Sequence, residues 1–225
     1  MSMGGRILAI GDIHGCCNAL TLLLNTVQIQ SEDTVVVLGD LIDRGPNSRG
    51  VIEQLLELSR TVKVIGICGN HEEMLFQSVA RGSPRLLWLG SGARATLDSY
   101  GGQLSGIPES HLAFLRGFVD SWQTDSHIFV HGNAAPDEPV ELQDSSYLRW
   151  TGFSGSERPH CSGKIIVCGH TEQVRGLPAH VPGYVCIDTQ ACSGQWLTCL
   201  DVEQSVFWQA SETGDIRGPS SLEAC

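Results

Sequence analysis

The sequence predicts an α/β fold built around a parallel β-sheet. Short unbroken apolar runs, such as residues 34–38 with Val35, Val36 and Val37, read as strands buried on both faces. They alternate with segments whose apolar residues recur at helical spacing, so the first third of the chain reads βαβαβα. A polar cluster follows each of the three apolar runs, at the strand ends where open α/β sheets place their sites.

Each element follows from its residues. Residues 6–10 form the first strand, broken by Gly11-Asp12-Ile13-His14-Gly15, and a helix runs over about 18–27. The second strand, 34–38, leads into a loop over 39–46. Asn47 or Ser48 can cap the next helix, in which Val51, Ile52, Leu55, Leu56 and Leu58 share a face. Residues 62–67 are the third strand, and a helix starts at Glu72 with Met74, Leu75 and Val79. Residues 81–106, with Arg81, Arg85, Trp88 and Arg94, read as a small helical or loop cap. Its arginines are expected in solvent and Trp88 in the core rather than as a stacking platform. Pro108 opens a helix to about residue 118.

The second half is more broken. Strands are expected at 127–130, ending in His131, at 164–168, ending in Gly169-His170, and at 184–187, ending in Asp188-Thr189. A hairpin pairs 195–201 with 205–209. Residues 1–210 read as one domain, and the polar, Gly/Pro/Ser-rich stretch 211–225 as a frayed tail.

Composition narrows the function. The 225 residues carry 25 acidic and 14 basic side chains, a formal charge of −11, which opposes stable binding to nucleic acid or to an anionic membrane. The nine cysteines include no CxxC pair, and several lie inside apolar runs, as small buried thiols do. This predicts a reducing cytoplasm. The N-terminus has no apolar core of signal-peptide length, and no 18-residue apolar stretch occurs.

Five strand-end clusters share one placement: Asp12/His14, Asp40/Asp43, Asn70/His71, His131 and His170. Taken singly, each is ordinarily a helix cap or a loop hydrogen bonder. Together they mix carboxylate, amide oxygen and imidazole, a donor set suited to Mn²⁺, Fe or Zn²⁺ rather than to a cysteine-rich structural zinc. The ligands exceed the needs of one ion. Two ions about 3.5–4 Å apart can activate a water and clamp phosphoryl oxygens for in-line attack. Neither a GxSxG elbow nor a phosphate loop ending in GK[ST] occurs. Glu72 reads as a first-turn helix stabiliser rather than a ligand.

The motifs GDIHG (11–15), GDLIDRG (39–45), GNHE (69–72), HGN (131–133) and GHT (169–171) resemble those of the calcineurin-like metallophosphoesterases. More narrowly, the chain resembles the branch of serine/threonine protein phosphatases, the phage protein phosphatase and symmetrical diadenosine tetraphosphate hydrolases. The resemblance covers residues 6–203. It implies two facing mixed β-sheets flanked by helices, with two metals at one edge and a bridging hydroxide as nucleophile. It also implies that Asp12, His14 and Asp40 hold one ion, and that Asp40, Asn70, His131 and His170 hold the other. His71 would be the general acid, oriented by Asp43, and Arg44 would bind phosphate oxygens, alongside Asn70 and His71.

The resemblance leaves the substrate open. Protein-phosphatase-like members usually carry arginine before GN, where this chain has Cys68, while Arg149 resembles a phosphate-binding arginine of the branch. The first reading is a protein phosphatase acting at phosphoserine, phosphothreonine or phosphotyrosine, with a phosphorylated protein as partner, and the alternative is a hydrolase of diadenosine polyphosphates. A metal-binding regulatory module without catalysis is the reading from another class.

Overall fold

The computed structural model describes residues 5–224. In the first half, strands β1 (Ile7–Ile10), β2 (Thr34–Val37) and β3 (Lys63–Gly66) alternate with helices α1 (Cys17–Val27), α2 (Ser48–Leu58) and α3 (Asn70–Arg81). Helices α4 (Leu86–Gly90), α5 (Ala93–Ser99) and α6 (Glu109–Arg116) follow. The second half contains β4 (Ser121–Gln123), β5 (His127–Val130), α7 (Ser145–Trp150), β6 (Ile165–Cys168), β7 (Ala179–Val181), β8 (Tyr184–Cys186), β9 (Leu197–Asp201), β10 (Val206–Ala210) and β11 (Ile216–Ser221).

Two mixed sheets result. The first has the order β11-β10-β9-β1-β2-β3, with β1, β2 and β3 parallel and the remaining neighbours antiparallel. The second has the order β4-β5-β6-β8-β7, parallel through β5, β6 and β8. The strand period of two divides each apolar run between two cores. Ala9, Val36, Ile67, Phe129, Val167, Val185 and Leu200 pack together between the sheets. Their neighbours Leu8, Ile10, Val35 and Val37 instead pack beneath the helices, with Leu20, Leu23, Ile52 and Leu55. Ile128, Val130, Ile166 and Cys168 form a third cluster with Leu148 of α7. The expected pair of facing sheets is therefore present, and the parallel strands β1, β2, β5 and β6 deliver their C-terminal ends to one edge.

The frayed tail expected for 211–225 is not what the structure contains. Ser211 to Asp215 close a turn, and β11 pairs antiparallel with β10 at the sheet edge. An edge strand bonds on one side only, so it accepts Gly218 and Pro219 where the register shifts between Phe207 and Gln209. Leu222 then buries itself against the core between the sheets, and Glu212 accepts the N–H of Ala19 at 2.9 Å. Cys225 lies outside the described residues.

Residues 81–106 contain α4 and α5. Arg81, Arg85 and Arg94 are exposed and Trp88 is fully buried, as expected. Trp88 does not merely fill the core, however: its indole reaches the site. Strands β4 and β7, of three residues each, have no counterpart in the sequence reading.

Candidate active site

The strand ends meet at Asp40, whose side chain is 2 % exposed. Its Oδ2 lies 3.6 Å from His14 Nε2 and 3.8 Å from His71 Nε2, while its Oδ1 lies 3.4 Å from His131 Nε2. His131 Nε2 is also 3.0 Å from Asn70 Oδ1. The two carboxylate oxygens thus face two separate groups of donors. Ligand atoms of His14, Asp40 and His71 form one set within 4.8 Å, and those of Asp40, His131 and His170 form another. The His14 and His71 rings stand 4.7 Å apart, and those of His131 and His170 stand 5.0 Å apart.

Local backbone makes these approaches possible. His14, Asp40, Asp43, Arg44 and His170 all adopt positive φ, between 45° and 73°, a region costly for residues with a Cβ. These left-handed residues all lie at the one edge where the strand ends meet. Two glycines set the clearances: a Cβ on Gly69 would lie 2.1 Å from Asp40 Oδ1, and one on Gly169 would lie 2.0 Å from Asp12 Oδ1.

The donor chemistry fits metal ions. The ring Nδ1 of His14 donates to the carbonyl of Ile42 at 2.8 Å, and that of His131 donates to Leu38 at 2.7 Å. Each bond leaves the other ring nitrogen free to ligate, the arrangement that metal-binding histidines use. Burial holds His14 neutral, with its pKa lowered to about 3, and lowers that of His170 to about 4. Burial pushes Asp12 well above the usual carboxylate range, reinforced by the charges of Asp188 and Asp40. Burial also raises Asp188, to about 6. Asp40 behaves oppositely. Burial opposes its ionisation, but His131, His71 and His14 outweigh this and hold it well below the usual range. Buried carboxylates crowded this way call for cations.

Asp12 does not join His14 and Asp40 as closely as His71 does. Its carboxylate accepts the N–H of His170, with both oxygens at 3.1 Å. His71 is tied elsewhere as well: its Nδ1 lies 2.6 Å from Asp43 Oδ2. Burial lowers its pKa, yet Asp40 and Asp43 outweigh this and raise it above the ordinary value. Arg44 stands at the mouth, with Nη2 3.4 Å from His71 Nε2 and Nη1 2.9 Å from Glu172 Oε1.

Arg149, expected to hold phosphate, is ion-paired in this structure. Its fork is taken by Asp120, at 2.5 Å and 2.8 Å, and by Glu73 at 3.3 Å. Asp120 thus takes the Nε/Nη2 edge, and only Nη1 faces Glu73. The Cys68 thiol is buried and points to the Gly69 carbonyl at 3.6 Å, which is packing.

Sequence reasoning missed several participants. Glu72 is fully buried and accepts N–H bonds from Asp40, Leu41 and Gly69 at 2.8, 2.9 and 3.1 Å. It stabilises more than its own helix, since it welds α3 to the loop carrying Asp40. Burial and the Asp40 charge raise its pKa to about 7 against these bonds. Asp188 follows β8 at a strand end, so the rule that found the other clusters also covers it. Trp88 and Thr96, which both bond Asp43, carry no local signal.

A family model of calcineurin-like phosphoesterases matches residues 5–173. The chain belongs to the calcineurin-like phosphoesterase family. It is similar to serine/threonine-protein phosphatase 1 of Salmonella typhimurium, 39 % identical over 88 residues, covering 39 % of this chain and 38 % of that protein. It is also similar to the symmetrical bis(5'-nucleosyl)-tetraphosphatase of Proteus mirabilis, 38 % identical over 80 residues, covering 34 % and 29 %. The matches thus span well under half the length of these relatives. Among solved structures, one provisionally named as a diadenosine tetraphosphatase superposes with a TM-score of 0.68 at 22 % identity. That superposition covers 96 % of this chain and 93 % of the other, a likeness of fold.

Proposed function

We propose that this member of the family is a phosphoester hydrolase that works with two metal ions sharing Asp40. The observation that carries this reading is the division of Asp40, with one oxygen toward His14 and the other toward His131. Asp12, His14 and Asp40 would hold one ion, and Asp40, Asn70, His131 and His170 the other. Mn²⁺ is the first ion to test, with Fe and Zn²⁺ suited to the same donors. When bound, the ions lower the pKa of a water and polarise phosphoryl oxygens.

The protein's own groups complete the chemistry. Asp43 fixes the Nδ1 side of His71, so Nε2 faces the reacting space and delivers a proton to the departing oxygen. For this reason we assign Asp12, not His71, to the first ion. Arg44 presents a planar fork to the transferred phosphoryl group, and Glu172 holds it in place at the mouth.

The substrate is proposed as a phosphorylated protein, in line with the phosphatase relative. A dinucleoside polyphosphate is the second reading, favoured by the tetraphosphatase relative. All eight cysteines among the described residues are free thiols, which supports a cytoplasmic setting. No helix among the described residues is long and apolar enough to cross a membrane. The deciding experiment assays metal-free protein, reloaded with Mn²⁺, against phosphoserine, phosphothreonine and phosphotyrosine peptides and against diadenosine tetraphosphate. Greater kcat/KM on a peptide supports the first reading, and preference for the dinucleotide replaces it with the second.

A further inference from the structure

The carboxylate that holds His71 is itself held from residues 86–99, and by more than one group. Asp43 is fully buried. Its Oδ2 receives Trp88 Nε1–H at 2.7 Å beside His71 Nδ1 at 2.6 Å. Its Oδ1 receives the Thr96 hydroxyl at 2.5 Å. The Thr96 oxygen in turn accepts the backbone N–H of Asp43 at 2.8 Å, and it lies 3.0 Å from Ser48 Oγ, which accepts the same N–H at 3.1 Å. One threonine therefore grips both the main chain and the side chain of Asp43.

The next residue is gripped as well. Arg44 N–H donates to the carbonyl of Gly92 at 3.2 Å, and a Cβ on Gly92 would lie 2.9 Å from Arg44 Cγ. Asp43 and Arg44 have φ of 73° and 65°, conformations that persist only where surroundings over-determine them. Residues 86–99 supply those surroundings. A buried carboxylate with both oxygens in fixed hydrogen bonds has one orientation, and it fixes the place of the imidazole Nδ1 bonded to it.

We propose that Trp88 and Thr96 are positioning residues for proton delivery by His71, acting through Asp43, and that residues 86–99 serve as a brace for the loop of Asp43 and Arg44. The inference rests on the reading of His71 as general acid. Neither side chain touches the reacting atoms. Their effect must therefore scale with how much the departing oxygen needs a proton.

This dependence provides the test. The Mn²⁺-loaded protein and its Thr96→Val, Thr96→Ser, Trp88→Phe and His71→Asn variants are compared on phenyl phosphate and 2,4-dinitrophenyl phosphate. The dinitrophenolate leaves without a proton, and the phenolate needs one. Thr96→Val, nearly isosteric, is expected to lower kcat on phenyl phosphate on the order of 10- to 100-fold with KM little changed. On the dinitrophenyl ester the loss stays within about 2-fold, as general acid assistance contributes little there. Thr96→Ser keeps the hydroxyl and restores most of the rate. Trp88→Phe follows Thr96→Val. His71→Asn shows the same selectivity with a larger loss. Equal losses on both esters for a folded Thr96→Val, or loss on neither, while His71→Asn remains selective, overturns the positioning role alone. A His71→Asn variant with no selectivity overturns the general-acid reading and this inference with it.

Discussion

Glu72 Oε2 accepts the backbone N–H of Asp40 at 2.8 Å, and through that bond the first turn of α3 fixes the residue shared by both donor groups. Asp40 sits at φ 49°, so the bond also holds a strained backbone in place. Glu72→Gln replaces one acceptor oxygen by an NH₂ that faces a buried N–H. Leaving a buried donor unpaired costs about 1–3 kcal/mol. Urea unfolding of the metal-free variant is expected to show that loss. Metal titration is expected to show affinity weakened on the order of 10- to 100-fold, although Glu72 is not assigned as a ligand. Full stability with unchanged affinity would show that the clamp is dispensable.

Asp40→Asn tests the shared carboxylate directly. The amide keeps the shape and one oxygen, but it removes the charge that offsets two cations. Metal content after dialysis is expected to fall from two ions to one or none per chain, with kcat reduced on the order of 10³-fold or more. Asn70→Ala, placed on one side only, is expected to lose one ion and keep the other. Retention of two ions by Asp40→Asn, read by elemental analysis, removes Asp40 from the bridging position.

The thiols give a prediction about Cys68. Burial pushes its pKa up, and the nearby Glu72 charge adds to this, so the thiolate that reacts with disulfide reagents is scarce. Cys161 is exposed, and Cys17 and Cys192 are partly buried. Peptide mapping after native labelling is expected to find Cys161 modified first, Cys17 and Cys192 later, and Cys68, Cys168 and Cys199 only after unfolding. Cys68→Ser is expected to keep kcat/KM within about 2-fold, since the thiol makes only a weak bond to Gly69. Rapid native labelling of Cys68 with loss of activity would instead give this cysteine a part in the chemistry.

These expectations differ in how far the sequence foreshadows them. Val35, Val36 and Val37 announce a central strand because β-branched runs buried on two faces have few other uses, and the candidate ligands follow from where parallel strands end. His14, Asp40, Asn70, His131 and His170 are legible for that reason, although their distances are not. Asp188 obeys the same rule and was legible in principle. Trp88 and Thr96 were not, because they lie 45 and 53 residues from Asp43 along the chain and in separate short helices. The left-handed backbone of His14, Asp43 and Arg44 is equally silent, since intrinsic preference disfavours it and only the assembled fold imposes it. Arg149 shows the converse. Its residue type suited phosphate, but its guanidinium pairs with Asp120 and Glu73, both distant in sequence. Strand β11 escaped notice because edge strands need little β-propensity.

The start of the first sheet carries a pH-dependent contribution that can be isolated from the site. Asp33 accepts Arg6 N–H at 2.9 Å, Arg6 Nη2–H at 2.6 Å and Gln30 N–H at 2.9 Å, joining the entry of β1 to that of β2. Burial pushes the carboxyl up, but the Arg6 fork and the two N–H bonds outweigh it, and the pKa in the folded chain lies below the ordinary value. A carboxylate with a depressed folded pKa adds stability that is complete above its unfolded pKa of about 3.9. The contribution shrinks as pH falls from there through the folded pKa, because both states then bind the proton. Asp33→Asn keeps the shape and loses the charge, so it is expected to be less stable by about 1.5–3 kcal/mol near neutral pH. Urea unfolding of both proteins at steps from pH 7 to pH 3 measures the gap. It should stay level down to about pH 4 and then close. A gap that is absent at neutral pH, or that widens on acidification, rules out the ionised Asp33 as the source of this stability.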